Sequence, residues 1–263
     1  MLEALILDVD GTLAETERDG HRVAFNRAFA EFGLDWYWDV ATYGKLLRVA
    51  GGRERIRHYL RVWHPPMPGV PDVDAFVEDL HAAKTGHFGR IVATGMLRPR
   101  PGVLRLLAEA QARGVALGLA SSTSPRNVEA LLEAWFPDGW RCRFAAVGAG
   151  GTAWAKKPDP GVYRWVLQRL GADAPRCVAF EDSAAGCAAA AAAGVPTVVT
   201  RSEYFRDDRF DRALAVLDGL GEPGAPAAGR AADLAWSGVV DLDTLEAWRV
   251  AGAVRLGRTL AAV

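Results

Sequence analysis

The chain has 263 residues, of which 50% are hydrophobic and 24% charged, so it can bury one large core or two modest ones. Its formal net charge of -1 excludes the overall basic field that attracts nucleic acid or an anionic membrane. The three cysteines form no CxxC pair, the N-terminus has no basic secretory region, and no apolar run reaches the ~18 residues of a membrane span. We therefore expect a cytoplasmic protein without nucleic-acid or membrane partners.

Five apolar runs bounded by turn residues predict β-strands at residues 2–7, 115–120, 143–147, 177–180 and 196–200. Segments with helical periodicity lie between them, at 102–113, 126–135, 161–170 and 184–193. Short, nearly continuous apolar runs are typical of parallel strands that are buried on both faces. The alternation predicts an α/β fold with a doubly wound, Rossmann-like parallel sheet.

The segment between the first and second predicted strands is too long for one βα crossover, because about 80 of its residues have helical periodicity and no strand signal. We predict that residues 15–93 form an all-helical cap domain, inserted into a core made of residues 1–14 and 94–263. All five histidines lie in this insertion, and we expect them on solvated helix faces. The tract DWYWD is expected to pack inside the cap. A core without histidine disfavours Ser-His-Asp and Cys-His hydrolases.

The last 60 or so residues carry fewer signals. The stretch 219–232 is rich in Gly, Pro and Ala and predicts an exposed loop. The sequence VVDLDTLEAW, which begins at Val239, predicts a short strand and a helix that docks on the core. No chemistry is assigned to this tail.

Two acidic pairs follow predicted strands. Asp8 and Asp10 end the first strand, and Glu181 and Asp182 follow the strand CVAF. In a doubly wound sheet the carboxyl ends of the strands are where ligands bind, so both pairs are expected at one edge. Carboxylates this close repel each other unless a cation lies between them, and Mg²⁺ takes carboxylate oxygens. The sequence therefore predicts one metal cage.

A third strand end supplies hydroxyl groups. Ser121, Ser122, Thr123 and Ser124 precede the helix that begins near Pro125, and they can cradle a phosphoryl group together with helix N-terminal amides. Capping alone would explain one of these hydroxyls. The tract AKKPDP adds two of only 4 lysines in a chain with 27 arginines, and a lysine there can screen the repulsion between a carboxylate and phosphate.

The four tracts DVDGT, LGLAS, KKP and EDS, in this order, resemble the motifs of the haloacid dehalogenase superfamily of phosphotransferases. The resemblance implies that Asp8 is the nucleophile of an aspartyl-phosphate mechanism and that Asp10 is the general acid and base. It also implies that Ser121 binds the phosphoryl group and that Lys157 stabilises it. The implied Mg²⁺ ligands are Asp8, Asp10, Glu181 and Asp182.

The tracts AETE, DWYWD, GGRERI, HAAKT and PRNVEAL resemble the CbbY-type enzymes of the β-phosphoglucomutase-like subfamily. This implies a phosphatase of a small sugar phosphate, with xylulose-1,5-bisphosphate as the substrate associated with such enzymes. Independently of the resemblance, we expect a monomer. The implied substrate contacts are Glu17, Gly51, Gly52, Arg53, His81 and Lys84 in the cap, and Ser122, Thr123, Ser124 and Arg126 in the core. Arg126 is expected near the distal phosphate.

Four other functions share part of this pattern. A sugar phosphomutase would use the same nucleophile and cap, and the sequence separates it from a phosphatase only weakly. A dehalogenase does not need Asp10 or a magnesium cage, and a phosphoryl-accepting receiver would lack the inserted cap. A binding protein without catalysis would have lost at least one motif residue, whereas all are present here. The phosphatase is therefore the favoured hypothesis.

Overall fold

The computed structural model describes residues 1–150, 155–231 and 236–260, with side chains up to residue 253 in the last helix. It contains a seven-stranded sheet in the order β3-β2-β1-β4-β5-β6-β7, in which β7 is antiparallel to β6 and all other neighbours are parallel. The strands are β1 (Ala4–Leu7), β2 (Ala116–Ala120), β3 (Ala146–Gly148), β4 (Cys177–Glu181), β5 (Thr197–Thr200), β6 (Ala215–Leu217) and β7 (Gly229–Ala231). The predicted α/β fold with a doubly wound sheet is confirmed.

The helices divide between the sheet and the segment inserted after β1. The segment holds a π-helical turn at Glu17–His21, then α1 (Arg22–Glu31), α2 (Val40–Leu46), α3 (Gly52–Trp63) and α4 (Val73–Ala93). The sheet is flanked by α5 (Val103–Ala112), α6 (Pro125–Trp135), α7 (Gly161–Leu170), α8 (Ala184–Ala192) and α9 (Leu242–Leu260). Among the described residues, no helix combines the length and apolarity that a bilayer crossing requires.

Alternation along β1 shows why both faces of the sheet are buried. Leu5 and Leu7 belong to a large apolar cluster that includes side chains of α5, α6 and α9, whereas Ala4 and Ile6 belong to a separate cluster with α7 and α8. Successive side chains of a strand point to opposite faces, so one strand contributes to both clusters. This is the arrangement that the continuous apolar runs predicted.

The tail differs from its prediction in two places. β7 occupies the end of the predicted exposed loop, where Arg230 pairs with Val216 of β6. Its side chains carry no apolar pattern because it is an edge strand held by backbone hydrogen bonds, and β6 has only three residues. The strand predicted at residue 239 is wrong: that stretch is irregular, although buried Val240 donates its N–H to Leu220. The helix predicted after it is confirmed as α9.

The inserted helices have an aromatic core of their own. Trp36 and Trp38 are buried and pack edge-on against Phe29, as expected for packing, while Tyr37 between them is 67% exposed. The last turns of α4 instead join the core cluster through residues such as Ile91. The cap boundaries at 15 and 93 stay a prediction, and the helices lie within them.

Replacing Trp248 tests whether α9 is part of the core. Its side chain is 1% exposed and packs in the large cluster, so Trp248→Ala should lower the free energy of unfolding by about 3–5 kcal/mol. The matched control is Val250→Ala on the exposed side of the same helix, expected within about 0.5 kcal/mol of the parent. Urea denaturation measures both. If Trp248→Ala lowered the free energy of unfolding as little as the control does, the packing of α9 would not stabilise the fold.

Candidate active site

The predicted strand ends meet at one cleft of about 410 Å³. β1, β2 and β4 are neighbours in the sheet, and the pairing of Leu7 with Phe180 brings the residues that follow each strand side by side. The wall of the cleft facing the sheet includes Asp8, Asp10, Ser121, Ser122, Thr123, Ser124, Lys157 and Asp182, and the wall on the inserted helices includes Glu17, His21, Gly51, Gly52, Arg53, His81 and Lys84. The cleft therefore lies between the sheet and the inserted segment.

Three buried carboxylates surround one lysine. Oxygens of Asp8, Glu181 and Asp182 lie within 4.8 Å of one another. The Nζ of Lys157 donates to Asp8 Oδ1 at 2.7 Å and to Glu181 Oε1 at 2.6 Å. Burial raises the pKa of Asp8 to about 7, although the lysine opposes it, and burial followed by the charge of Asp8 raises the pKa of Asp182. One ammonium therefore does not compensate three carboxylates.

The carboxylate cluster fits a divalent metal ion. Glu181 Oε2 is fully buried and has no hydrogen-bond partner among the described residues, as expected of an oxygen that needs a cation. All donors are hard oxygens, which Mg²⁺ prefers. Two glycines admit the carboxylates, since a Cβ would lie 1.9 Å from Asp182 Oδ2 at Gly11 and 1.8 Å from Glu181 Oε2 at Gly186. The DVDGT motif contains the first of these glycines, whereas nothing in the sequence singled out Gly186.

Two further hydrogen-bond partners of the carboxylates were not predicted from the sequence. Tyr163 of α7 donates its hydroxyl to Glu181 Oε1, and Ser202 donates to Asp182 Oδ2 at 2.6 Å. Both donors lie in stretches without a motif, so only the fold brings them to the site. They fix the orientation of the acidic groups.

Asp10 faces the inserted helices rather than the carboxylate cluster. Its Oδ1 accepts from the Thr16 hydroxyl and contacts His21 Nε2 at 3.1 Å. Lys84 Nζ lies 2.9 Å from His21 Nδ1; because an ammonium only donates, Nδ1 accepts and Nε2 carries the proton toward Asp10. Burial would raise the pKa of Asp10, but His21 and Thr16 outweigh it and hold the pKa at about 2.

One sequence prediction is wrong at this point, and another stays a prediction. His21 is 3% exposed and stacks on Phe88 with ring centroids 4.0 Å apart, so the prediction of a solvated helix face is wrong for it. Among the described residues, the Asp10 carboxylate is outside the cluster of Asp8, Glu181 and Asp182, and its role as a metal ligand stays a prediction. The inserted segment places His21 against Asp10.

Glu17 is held by a buried chain of hydrogen bonds within the inserted helices. Tyr43 donates its hydroxyl to Glu17 Oε2 at 2.5 Å, and Arg55 Nη1 donates to the Tyr43 oxygen at 2.8 Å. Sequence reasoning missed Tyr43 and Arg55, which sit on different helices, although Arg55 lies inside the tract GGRERI.

Burial, then the charge of Lys84, lowers the pKa of His81 to about 4, so this ring is neutral near pH 7.

The run of hydroxyls forms the turn between β2 and α6. Ser121 is buried, and its Oγ accepts the Thr123 N–H at 3.2 Å. Ser124 caps α6 by accepting the N–H of Asn127, a residue with no motif that also lines the cleft. Asn127 in turn donates to the Thr123 hydroxyl at 3.1 Å. The turn therefore presents hydroxyls at a helix N-terminus, where anions bind.

Two arginines predicted to contact substrate are placed differently. Arg53 lines the cleft but pairs with Glu78 at 2.7 Å. Arg126 is exposed at the start of α6 and does not line the cleft. The roles of both arginines stay predictions.

Comparison with known proteins identifies the family. Residues 2–194 match the family model described as haloacid dehalogenase-like hydrolase. The chain belongs to this family. The predicted fold family and enzyme class, a haloacid dehalogenase-type hydrolase, are thereby confirmed.

Individual relatives show which members of the family the chain is similar to. The plasmid-encoded protein CbbY of Cupriavidus necator is 49% identical over 241 residues, which cover 89% of this chain and 94% of that protein. The crystal structure of CbbY from Rhodobacter sphaeroides with phosphate is 42% identical, with a TM-score of 0.77 over 83% of this chain and 95% of that one. A CbbY mutant from the same organism, in complex with xylulose-1,5-bisphosphate, is 41% identical with a TM-score of 0.78 over 85% and 98%. The CbbY-type resemblance is confirmed.

Thermal unfolding with Mg²⁺ tests the carboxylate cluster. Asp8 and Asp182 have pKa values above those of an unfolded chain, so their contribution to stability is present at low pH and is lost as the pH rises through about 7 for Asp8. A bound cation removes this penalty. Mg²⁺ at about 100 times its dissociation constant should raise the melting temperature by roughly 5–10 °C at pH 8, and by less at pH 5.

The control for this shift is Asp182→Asn, which removes one carboxylate oxygen from the cluster. We expect calorimetry to show a shift several times smaller in this variant at pH 8. A Mg²⁺ effect that is equal at both pH values, or unchanged by the substitution, would mean that the ion binds elsewhere.

Proposed function

We propose that the chain is a Mg²⁺-dependent sugar-phosphate phosphatase that works through an aspartyl-phosphate on Asp8, with xylulose-1,5-bisphosphate as its preferred substrate. The observation that carries the proposal is the position of Asp8. It belongs to the acidic cluster, accepts a hydrogen bond from Lys157 and lines the same cleft as the hydroxyl-rich turn after β2. The xylulose-1,5-bisphosphate complex of the Rhodobacter sphaeroides relative supports the substrate. We also propose that the enzyme acts as a cytoplasmic monomer.

In the first half of the reaction, a carboxylate oxygen of Asp8 attacks phosphorus in line with the ester bond. The new oxygen–phosphorus bond forms as the bond to the sugar oxygen breaks, and that oxygen takes a proton from Asp10. Lys157 bears its charge beside the reacting oxygens, because burial would lower its pKa but the charges of Asp8 and Glu181 outweigh burial and raise it. A Mg²⁺ ion held by Asp8, Asp182 and Glu181 would supply charge neutralisation at the phosphoryl oxygens.

The protonation state of Asp10 depends on the substrate. With its pKa at about 2, Asp10 is a carboxylate in the free site. A phosphate dianion entering beside it raises the pKa of a carboxyl group, so Asp10 takes up a proton from solvent as the substrate binds and donates that proton to the sugar oxygen. Its contact with His21 orients the carboxyl group.

In the second half of the reaction, Asp10 acts as a general base. It removes a proton from a water molecule, whose oxygen attacks phosphorus and displaces Asp8. The low pKa that His21 and Thr16 confer makes the deprotonated form available once the sugar has left. Free phosphate and the Asp8 carboxylate are regenerated, and Asp10 releases its proton to solvent as phosphate leaves, so one water is consumed and the protons balance.

The inserted helices are proposed to select the sugar. Glu17 accepts hydrogen bonds, neutral His81 offers both a donor and an acceptor, and the ammonium of Lys84 lies deeper. Gly52 lets the chain pass close to His81, since a Cβ there would lie 2.5 Å from its Nε2. These groups face the wall that carries Asp8 and therefore suit a polyol attached to a phosphoryl group.

Replacing Asp10 tests its acid and base role. Asp10→Asn keeps the shape and removes the proton-transfer group, so turnover should fall at least about 100-fold while the fold stays intact. Steady-state phosphate release measures this, and intact-mass spectrometry shows whether one phosphoryl group accumulates on Asp8. Exposed Asp138→Asn is the matched control with full activity. Full turnover in Asp10→Asn would remove the assignment.

A substrate panel with and without EDTA tests the substrate and reaction type. We expect Mg²⁺-dependent phosphate release, with kcat/KM for xylulose-1,5-bisphosphate at least about tenfold above that for pentulose monophosphates, because a second phosphate adds charge-assisted contacts. The panel should include β-glucose-1-phosphate. An isomerised sugar phosphate without free phosphate would make the enzyme a mutase, and Asp8→Asn should abolish either activity.

A further inference from the structure

Two ion pairs join the inserted helices to the core across the mouth of the cleft. Lys156, in the loop before α7, lies 2.6 Å from Glu54 of α3. Arg48, just after α2, makes two hydrogen bonds of 2.9 and 3.0 Å to Asp208, which follows β5. All four side chains line the cleft, yet none has a role in the proposed chemistry. Their placement connects the two walls of the site.

The turn that begins α3 is shaped around the end of the Lys156 side chain. Its Nζ lies 3.5 Å from the carbonyl oxygen of Ala50 as well as near Glu54. Gly51, between them, has a φ of +99°, and a Cβ on it would lie 1.9 Å from the lysine nitrogen. A glycine is needed there for both the backbone conformation and the close approach. The cap side of this contact is therefore built to receive a lysine.

Lys156 is also the chain neighbour of Lys157. The two side chains have different partners: Lys157 binds Asp8 and Glu181, whereas Lys156 binds the helical segment. Because consecutive residues share a peptide plane, the position of α3 is linked through one short stretch of backbone to the lysine beside the nucleophile. This connects the cap contact to the reacting groups.

The strength of the contact suits a reversible closure. The side chains of Lys156 and Glu54 are 32% and 45% exposed. Partly exposed ion pairs stabilise a conformation only weakly. The effect on the equilibrium between an open and a closed cleft is at most roughly fivefold, and salt screens it. Such a contact favours the closed cleft without preventing it from opening to release product.

We propose that Lys156 is a positioning residue that holds the start of α3 against the core through Glu54 and thereby keeps the cleft closed over a bound substrate. Arg48 and Asp208 make a second contact of the same kind. The proposal concerns closure itself, so hydrogen exchange can test it whatever the substrate proves to be.

A charge swap tests this contact in the full-length protein. Lys156→Glu and Glu54→Lys each place like charges together, and either should speed amide exchange over residues 51–56 by roughly two- to fivefold. Each should also raise KM more than it lowers kcat. The double variant Lys156→Glu/Glu54→Lys restores opposite charges and should return both measurements to within about twofold of the parent. Raising the salt concentration should weaken the parent's protection and partly restore protection in Lys156→Glu, because salt screens attraction and repulsion alike.

The matched control is Arg57→Glu, which reverses a charge on the same helix. Arg57 pairs with Asp74 and Glu78 inside the helical segment and does not line the cleft. It should leave KM unchanged. Single variants that behave like the control, or a double variant no better than the singles, would overturn the proposal. If the panel shows no phosphatase activity but the exchange results follow the swap, the proposed function fails and the role of Lys156 in closure stands.

Discussion

The burial of three carboxylates around one ammonium is the constraint on which the site depends. Removing charged groups from water is costly, and the cost is offset only where partners satisfy them. Here the partners come from separate elements: Lys157 from the loop before α7, Tyr163 from α7 and Ser202 from the chain after β5. The glycines at 11 and 186 leave the space. A large part of the core is thus arranged around charges that one ammonium does not balance.

The environment gives two neighbouring aspartates very different pKa values. Asp8 is buried among like charges and has a pKa of about 7, whereas Asp10, two residues on, is bound by His21 and has a pKa of about 2. Pairs of titratable groups whose environments separate their pKa values are characteristic of active sites. The groups that act on Asp10 come from the inserted helices. The position of these helices therefore affects the pKa of Asp10.

The distribution of basic residues follows the shapes of their side chains. Lys84, Lys156 and Lys157 all line the cleft, so three of the 4 lysines lie where a compact ammonium contacts a carboxylate or a histidine. Arginine has a different use, which depends on its planar guanidinium group. Arg100 donates to the carbonyl oxygens of Gly11, Thr200, Arg201 and Asp218, and thus joins the loop after β1 to the chain after β5 and β6. Several donors in a fixed plane allow one side chain to bind several carbonyl groups.

Local pattern in the sequence by itself determined the first five strands of the sheet and the groups that follow them. Continuous apolar runs are visible in neighbouring residues, and strand ends in a parallel sheet must meet at one edge, so the sequence alone placed Asp8, Ser121 and Asp182 together. Only the tertiary structure decided that His21 lies beside Asp10, that Tyr163 and Ser202 hold the acidic groups, and that Lys156 reaches Glu54. Each of these contacts joins residues from separate elements, and the packing angle of the inserted helices on the sheet leaves no signal in the residues on either side.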